Sequence, residues 1–139
     1  MRTFFFTIFF LFIVINSQYP PVSDLKTVVS PIDNSITISF KTPARGTCQT
    51  VFDTQEQYTG WVKTPSSYGT NIFFWFIAAR DPTDQVVIWL NGGPGSSSMT
   101  GLFAENGPCE VVEFANKKLG TREREWGWDR GANVLYIDQ

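Results

Sequence analysis

The chain has 139 residues, 42% of them hydrophobic and 16% aromatic, with 13 phenylalanines and 5 tryptophans; this is apolar surface enough for one small folded domain and too much for a disordered segment. Eleven lysines and arginines against thirteen acids leave a formal net charge of -2. Neither sign clusters except in the mixed run KKLGTRERE at 117–125, so no nucleic-acid or anionic-membrane partner is expected.

The chain opens MRTFFFTIFFLFIVINSQYPP, with Arg2, an apolar run from Phe4 to Ile15, and then small and polar residues. That is the order of a secretory signal peptide over residues 1–17, with Ser17 as the last residue before the cut. The run is shorter than the roughly 20 residues that span a bilayer, so no stable membrane insertion is expected after cleavage; an uncleaved membrane anchor is the alternative. The expected location is the secretory pathway, ending outside the cell or in a vacuole or lysosome. An oxidising route permits disulfides. Cys48 and Cys109 could bond to each other or to other partners, and spacing does not choose between them. With no histidine and no C-x-x-C pair, no metal is expected, and no motif asks for a cofactor.

Residues 18–35 carry three prolines among turn formers and read as the start of an extended leader reaching to residue 47. Within it ITISF, 36–40, alternates with period two and predicts a short strand. YTGWVK at 58–63 and NIFFWFIAAR at 71–80, joined by the turn-rich TPSSYGT, predict an antiparallel hairpin. VVIWLN, 86–91, is a continuous apolar run of the kind buried on both faces of a sheet. In SSSMTGLFAENG the serines and the closing Asn106-Gly107 are start and stop signals for a short helix. Gly101 inside it costs about 1 kcal/mol relative to alanine, so either it permits close packing there or the helix is marginal. The mixed-charge run at 117–125 reads as a solvated loop or helix face, and NVLYID as a final apolar strand. Hairpin, buried strand, glycine loop, short helix and buried strand form the opening of an α/β sheet that is incomplete, with a long apolar strand edge exposed.

The chemistry concentrates in WLNGGPGSSSMTGLFAENGP, residues 89–108. A nucleophile elbow requires G-x-S-x-G, and Gly95-Ser96-Ser97-Ser98-Met99 fails at the last position. Without a histidine, the usual base for a serine is absent too. A phosphate loop would need a lysine, or glycine in place of Ser98. What remains is backbone chemistry: glycines leaving a strand and entering a helix can turn several N–H groups to one negative oxygen. A tight turn with no ligand is the alternative.

Taken together, VVIWLNGGPGSSSMTGLFAENGPC, with QYTGWVK and TNIFFWFIAAR upstream and WGWDRGANVLYIDQ downstream, resembles the N-terminal part of the serine carboxypeptidases, α/β-hydrolases that remove C-terminal residues from peptides. The resemblance is strongest to fungal-type members. It implies that Gly93 donates its backbone N–H to the oxyanion, and that Asn91 and the backbone of Gly92 bind the free carboxylate of a peptide or protein C-terminus. It further implies that Glu105, protonated, completes this clamp and suits the enzyme to acid pH, since two facing carboxylates cannot both stay charged. Where many members have a cysteine this chain has Ser96, so the bridge made there cannot form. Trp89, Trp128 and the other tryptophans are read as packing.

The nucleophile, aspartate and histidine that the resemblance calls for are not among these 139 residues. The chain is therefore expected to carry the oxyanion donor and the clamp of a serine carboxypeptidase, as an N-terminal piece inactive by itself. A secreted, non-catalytic peptide-binding module, or a remnant without function, is the alternative.

Overall fold

The computed structural model describes residues 24–51, 54–65 and 69–139; the expected signal segment, 1–17, lies outside them. The fold is dominated by a mixed sheet with few helical turns. Its strands are β1 (Lys26–Val29), β2 (Thr37–Lys41), β3 (Gln57–Lys63), β4 (Asn71–Ile77), β5 (Val86–Trp89), β6 (Cys109–Glu113), β7 (Leu119–Glu123) and β8 (Asn133–Asp138). Six of them form one sheet in the order β1-β2-β3-β4-β8-β5, while β6 and β7 form a separate pair. All contacts in the large sheet are antiparallel except β5 against β8, which is parallel.

The expected hairpin is β3–β4, in register from Gln57 opposite Ile77 to Lys63 opposite Asn71. β4 is β-branched or aromatic at every position but Asn71, and β3 at Tyr58, Thr59, Trp61 and Val62, which favours extended backbone and cross-strand contacts. Trp61 meets Phe73 edge-on at 5.8 Å, and Phe40 of β2 meets Tyr58 of β3 at 5.5 Å. ITISF supplies β2, and part of the segment read as a leader adds β1, whose four residues are all exposed.

β8 separates the sheet's two faces. Its partners Ile77 opposite Val134 and Trp75 opposite Tyr136 point to one side. There they pack with Leu102 and the Cys48–Cys109 pair into the core, with Phe73, Trp89, Met99 and Phe103 against it. Ile77, Leu102, Val134 and Tyr136 are wholly buried; a side chain such as Ile77 or Leu102 contributes about 1.5–3 kcal/mol by leaving water. The opposite face presents Phe40, Tyr58, Phe74, Phe76, Leu135 and Ile137 as the wall of an apolar trough of about 710 Å³, lined by strand residues alone.

VVIWLN departs from its reading as a strand covered on both faces. β5 is the sheet's edge: Val87 and Trp89 turn toward the core, while Val86 and Ile88 are 59% and 58% exposed on the other side. The apolar run reports the chemistry of the strand, but burial on the second face needs a covering layer, and the described residues put none there. KKLGTRERE is also not a loop. Leu119–Glu123 pairs with Cys109–Glu113, turning tightly at Lys117, whose φ is 60°. The alternation TRERE has the period of a strand, and it sets Arg122 and Arg124 toward Glu110. The Arg122 guanidinium hydrogen-bonded to Glu110 holds that carboxyl below the usual carboxylate range.

Two connections fasten these parts. Cys48 bonds to Cys109, with Cα atoms 5.5 Å apart and a sequence separation of 61, tying the loop before β3 to the start of β6. Arg80, just after β4, donates to buried Asp129 in the Trp128–Arg130 turn at 2.8 Å. The same guanidinium donates to the carbonyls of Arg124 and Glu125, so the buried pair is well satisfied and fixes the strand-to-loop geometry.

Closing a loop of that length removes about 4 kcal/mol of entropic advantage from the unfolded chain. Replacing both cysteines with serine is expected to lower unfolding stability by that order in a denaturant titration. Tyr136 supplies a pH signature. Burial, with the charge of Asp129 adding to it and Arg124 opposing, pushes its phenol well above the ordinary range. The folded state therefore keeps this proton after the unfolded chain has begun to lose it near pH 10. The resulting stability is fully present below that pH and falls as pH rises further. Tyr136→Phe is expected to flatten this alkaline decline in a thermal melt series, while costing about 1–3 kcal/mol because Asn106 Oδ1, which accepts the Tyr136 hydroxyl at 3.0 Å, loses its partner.

Candidate functional site

The glycine loop leaves β5 after Trp89 and ends in a turn of π-helix, Gly101–Asn106. The expected helix is thus present but short and wide. Gly92 and Gly93 lie past the end of the β5–β8 ladder and are exposed. Gly93 has φ 147°, a conformation that residues with a Cβ rarely adopt, and its peptide bond to Pro94 is cis. Gly101 is required for a different reason: a Cβ there would collide with the indole nitrogen of Trp89 and with Asn91 Oδ1. Of the two outcomes expected at this glycine, close packing is the one found.

Asn91 lies at the centre of the arrangement. Its Oδ1 accepts from Trp89 Nε1 at 2.7 Å and from the backbone amide of Gly101 at 3.1 Å. With two donors on that oxygen, the amide nitrogen must face the other way. There Nδ2 donates to Glu105 Oε1 at 3.2 Å, and Glu105 is exposed at the end of the π-turn. Asparagine and acid, fourteen positions apart in the chain, therefore meet beside the exposed glycine amides. One hydrogen of Nδ2 is engaged with Glu105, and the second gives the group further donor capacity.

Trp89 packs as expected and has a second role that sequence reasoning missed. Read as packing, it does meet Trp128 edge-on at 5.1 Å, but its N–H also aligns Asn91. The signal was available, since a buried indole needs an acceptor and Asn91 stands two residues on, on the same face of an extended segment. Trp126 and Trp128 keep much of their surface in water, 71% and 47% exposed, Trp128 while packing on Trp89. Arg130 lies over the Trp126 ring at 4.5 Å. Of the three serines, Ser96 and Ser97 are exposed, whereas Ser98 is wholly buried and its hydroxyl accepts the Asn91 amide at 3.0 Å.

Behind Glu105, Arg124 donates to the carbonyls of Phe103 and Gly107 at 3.0 Å each. It thereby satisfies carbonyls that the end of the π-turn would leave unpaired and anchors the segment carrying the acid. The neighbouring charged basin, which Glu105 lines together with Glu110, Arg122, Arg124, Trp126 and Arg130, has its cations largely engaged by Glu110, by backbone carbonyls and by Trp126. Among the described residues no cluster of metal-ligating side chains occurs, and no helix is long and apolar enough to cross a membrane.

A family profile described as serine carboxypeptidase matches residues 47–139. Carboxypeptidase S1 homolog A of Arthroderma otae is 41% identical over 137 residues, covering 89% of this chain and 20% of its own length. Carboxypeptidase S1 homolog A of Trichophyton rubrum is 41% identical over 131 residues, covering 86% and 19% respectively. The venom serine carboxypeptidase of Apis mellifera is 49% identical over 83 residues, covering 58% of this chain and 17% of its own length. The chain thus spans about a fifth of the length of the curated relatives it matches. With the profile covering well over half of its residues, and with fungal relatives as the motif implied, the chain belongs to the serine carboxypeptidase family.

Proposed function

We propose that this chain supplies two parts of a serine-type carboxypeptidase: the grip on a peptide's C-terminal carboxylate, and one donor to the oxyanion formed during its cleavage. Asn91 Nδ2 and the Gly92 amide bind the carboxylate, Glu105 shares a proton with it, and the Gly93 amide donates to the oxyanion. The reading rests above all on the Asn91–Glu105 contact at 3.2 Å, which brings a neutral donor and an acid together beside amides free of any ladder. The substrate class follows from that chemistry, since only a chain end offers a main-chain carboxylate in that place. An internal peptide would leave its polar groups unpaired at about 1–3 kcal/mol each.

Bond cleavage needs a nucleophile and a base besides these groups. The 139 residues contain no histidine, so the part proposed for them is binding and charge stabilisation, and by themselves they are inactive. The fold has a corresponding place as the opening of an α/β-hydrolase sheet. In support, the β5–β8 pair is parallel, the loop sits at the carboxyl end of β5, where open α/β sheets bind ligands, and the far face is apolar. Routing through the secretory pathway, to the outside or to a vacuole or lysosome, belongs to the same proposal.

The test is binding of fluorescent peptides that differ only in a free or an amidated C-terminus. The free form is expected to bind more tightly, and Asn91→Ala to remove about 1.5–3 kcal/mol, the worth of a hydrogen bond to a charged group. Equal binding of the two peptides, or N91A without effect, removes the clamp. Secretory routing is checked separately: expression in a eukaryotic secretory host should yield a product whose N-terminus begins after Ser17.

A further inference from the structure

The glycine loop has little of its own to hold it in shape. Between Asn91 and Ser98 it contains three glycines and an exposed proline, and freely rotating backbone of this kind is costly to order. Its two ends are tied to each other by the bond from the Asn91 amide to Ser98 Oγ. Both ends are also tied to a third place. The Ser98 amide donates to Asp138 Oδ1 at 3.0 Å, and Gln139 Nε2 donates to the Asn91 carbonyl at 3.0 Å. Asp138 closes β8, and because β8 runs parallel to β5 the two strands deliver their carboxyl ends to the same side of the sheet.

We propose that Asp138 and Gln139 are positioning residues for the carboxylate-binding loop, clipping its two ends to the end of β8 so that the amides of Gly92 and Gly93 keep a fixed direction. This rests on the reading of those amides given under Proposed function. A device serving only the start of the π-turn would be met by a side chain close in sequence. Here the acceptor for Ser98 comes from 40 residues away, on the strand that pairs with β5, so the loop is referenced to the sheet itself. The carboxylate accepts from the amide of a wholly buried residue, and a charged acceptor makes a stronger bond than a neutral one. Gln139 adds the second point, which stops the loop from pivoting about the first.

The experiment is amide hydrogen exchange and peptide binding on the 139-residue chain, with Asp138→Ala, Asp138→Asn and Gln139→Ala. In D138A the Ser98 amide is expected to exchange at least about tenfold faster while the β8 ladder amides stay protected, since only a local opening has been eased. Affinity for free-carboxylate peptides should fall severalfold in the same variant. D138N retains Oδ1 as an acceptor and is expected to restore both, which a general packing defect would not predict. Unchanged Ser98 exchange in D138A, or D138N behaving like D138A, overturns the proposal. If D138A loses the β8 ladder as well, Q139A decides: a shift of the Gly92 amide resonance with weaker peptide binding supports the clip, and an unmoved resonance overturns it. Loss of Ser98 protection in D138A, in a wild-type chain that binds free and amidated peptides equally, sinks the clamp and leaves the clip standing.

Discussion

The arrangement depends on β8 being inserted between β4 and β5. Successive strands tend to lie side by side, yet β4 and β5 do not touch as neighbours here; a strand from 44 residues beyond the end of β5 fills the gap. The insertion is driven by burial. Val134 and Tyr136 have no exposed surface, and they complete the core from Trp75 and Ile77 across to Leu102 and the disulfide. β5 has one sheet partner, and that partner is parallel to it. The direction and position of the loop leaving β5 are therefore consequences of where β8 sits.

From that constraint the site is assembled by hydrogen bonds of a few residues' reach. Trp89 and Gly101 saturate one side of the Asn91 amide, leaving the other to Glu105. The absence of a side chain at Gly101 is what allows the turn to approach the indole so closely. Arg124, held near Glu110 on the small second sheet, satisfies the carbonyls on the far side of the turn. The β6–β7 hairpin, attached by the Cys48–Cys109 bond, is thereby a brace for the acid rather than an appendage. Each contact is ordinary in strength, at about 0.5–3 kcal/mol. Their effect is directional: a loop without its own ladder is referenced from several sides.

The two faces of the large sheet differ in what packs on them. The core face supports the loop and the π-turn. The opposite trough, lined by aromatic and branched side chains, and the half-exposed edge strand β5 show a sheet whose apolar pattern exceeds what the described residues cover. Parallel pairing is usually found where both faces are covered.

The sequence by itself determined the features that depend on near neighbours. Period-two and aromatic runs specified the β3–β4 hairpin and β8, since strand preference and alternation are local properties. The glycine spacing and WLNGGPG followed by ENGP specified the family. Gly101 was legible as a position that either packs closely or weakens the helix, and the absence of histidine was legible from composition. Tertiary structure alone decided what depends on distant partners. It placed β5 at an edge, because coverage is a property of what packs on a strand and not of the strand. It made KKLGTRERE a paired strand, because Glu110 is opposite Arg122 only once the turn at Lys117 closes. It joined Cys48 to Cys109, which spacing left open. It gave Trp89 a partner in Asn91 and Ser98 one in Asp138, because a hydrogen bond is settled by distance and direction in space, and positions 98 and 138 become neighbours only when β8 takes its place in the sheet.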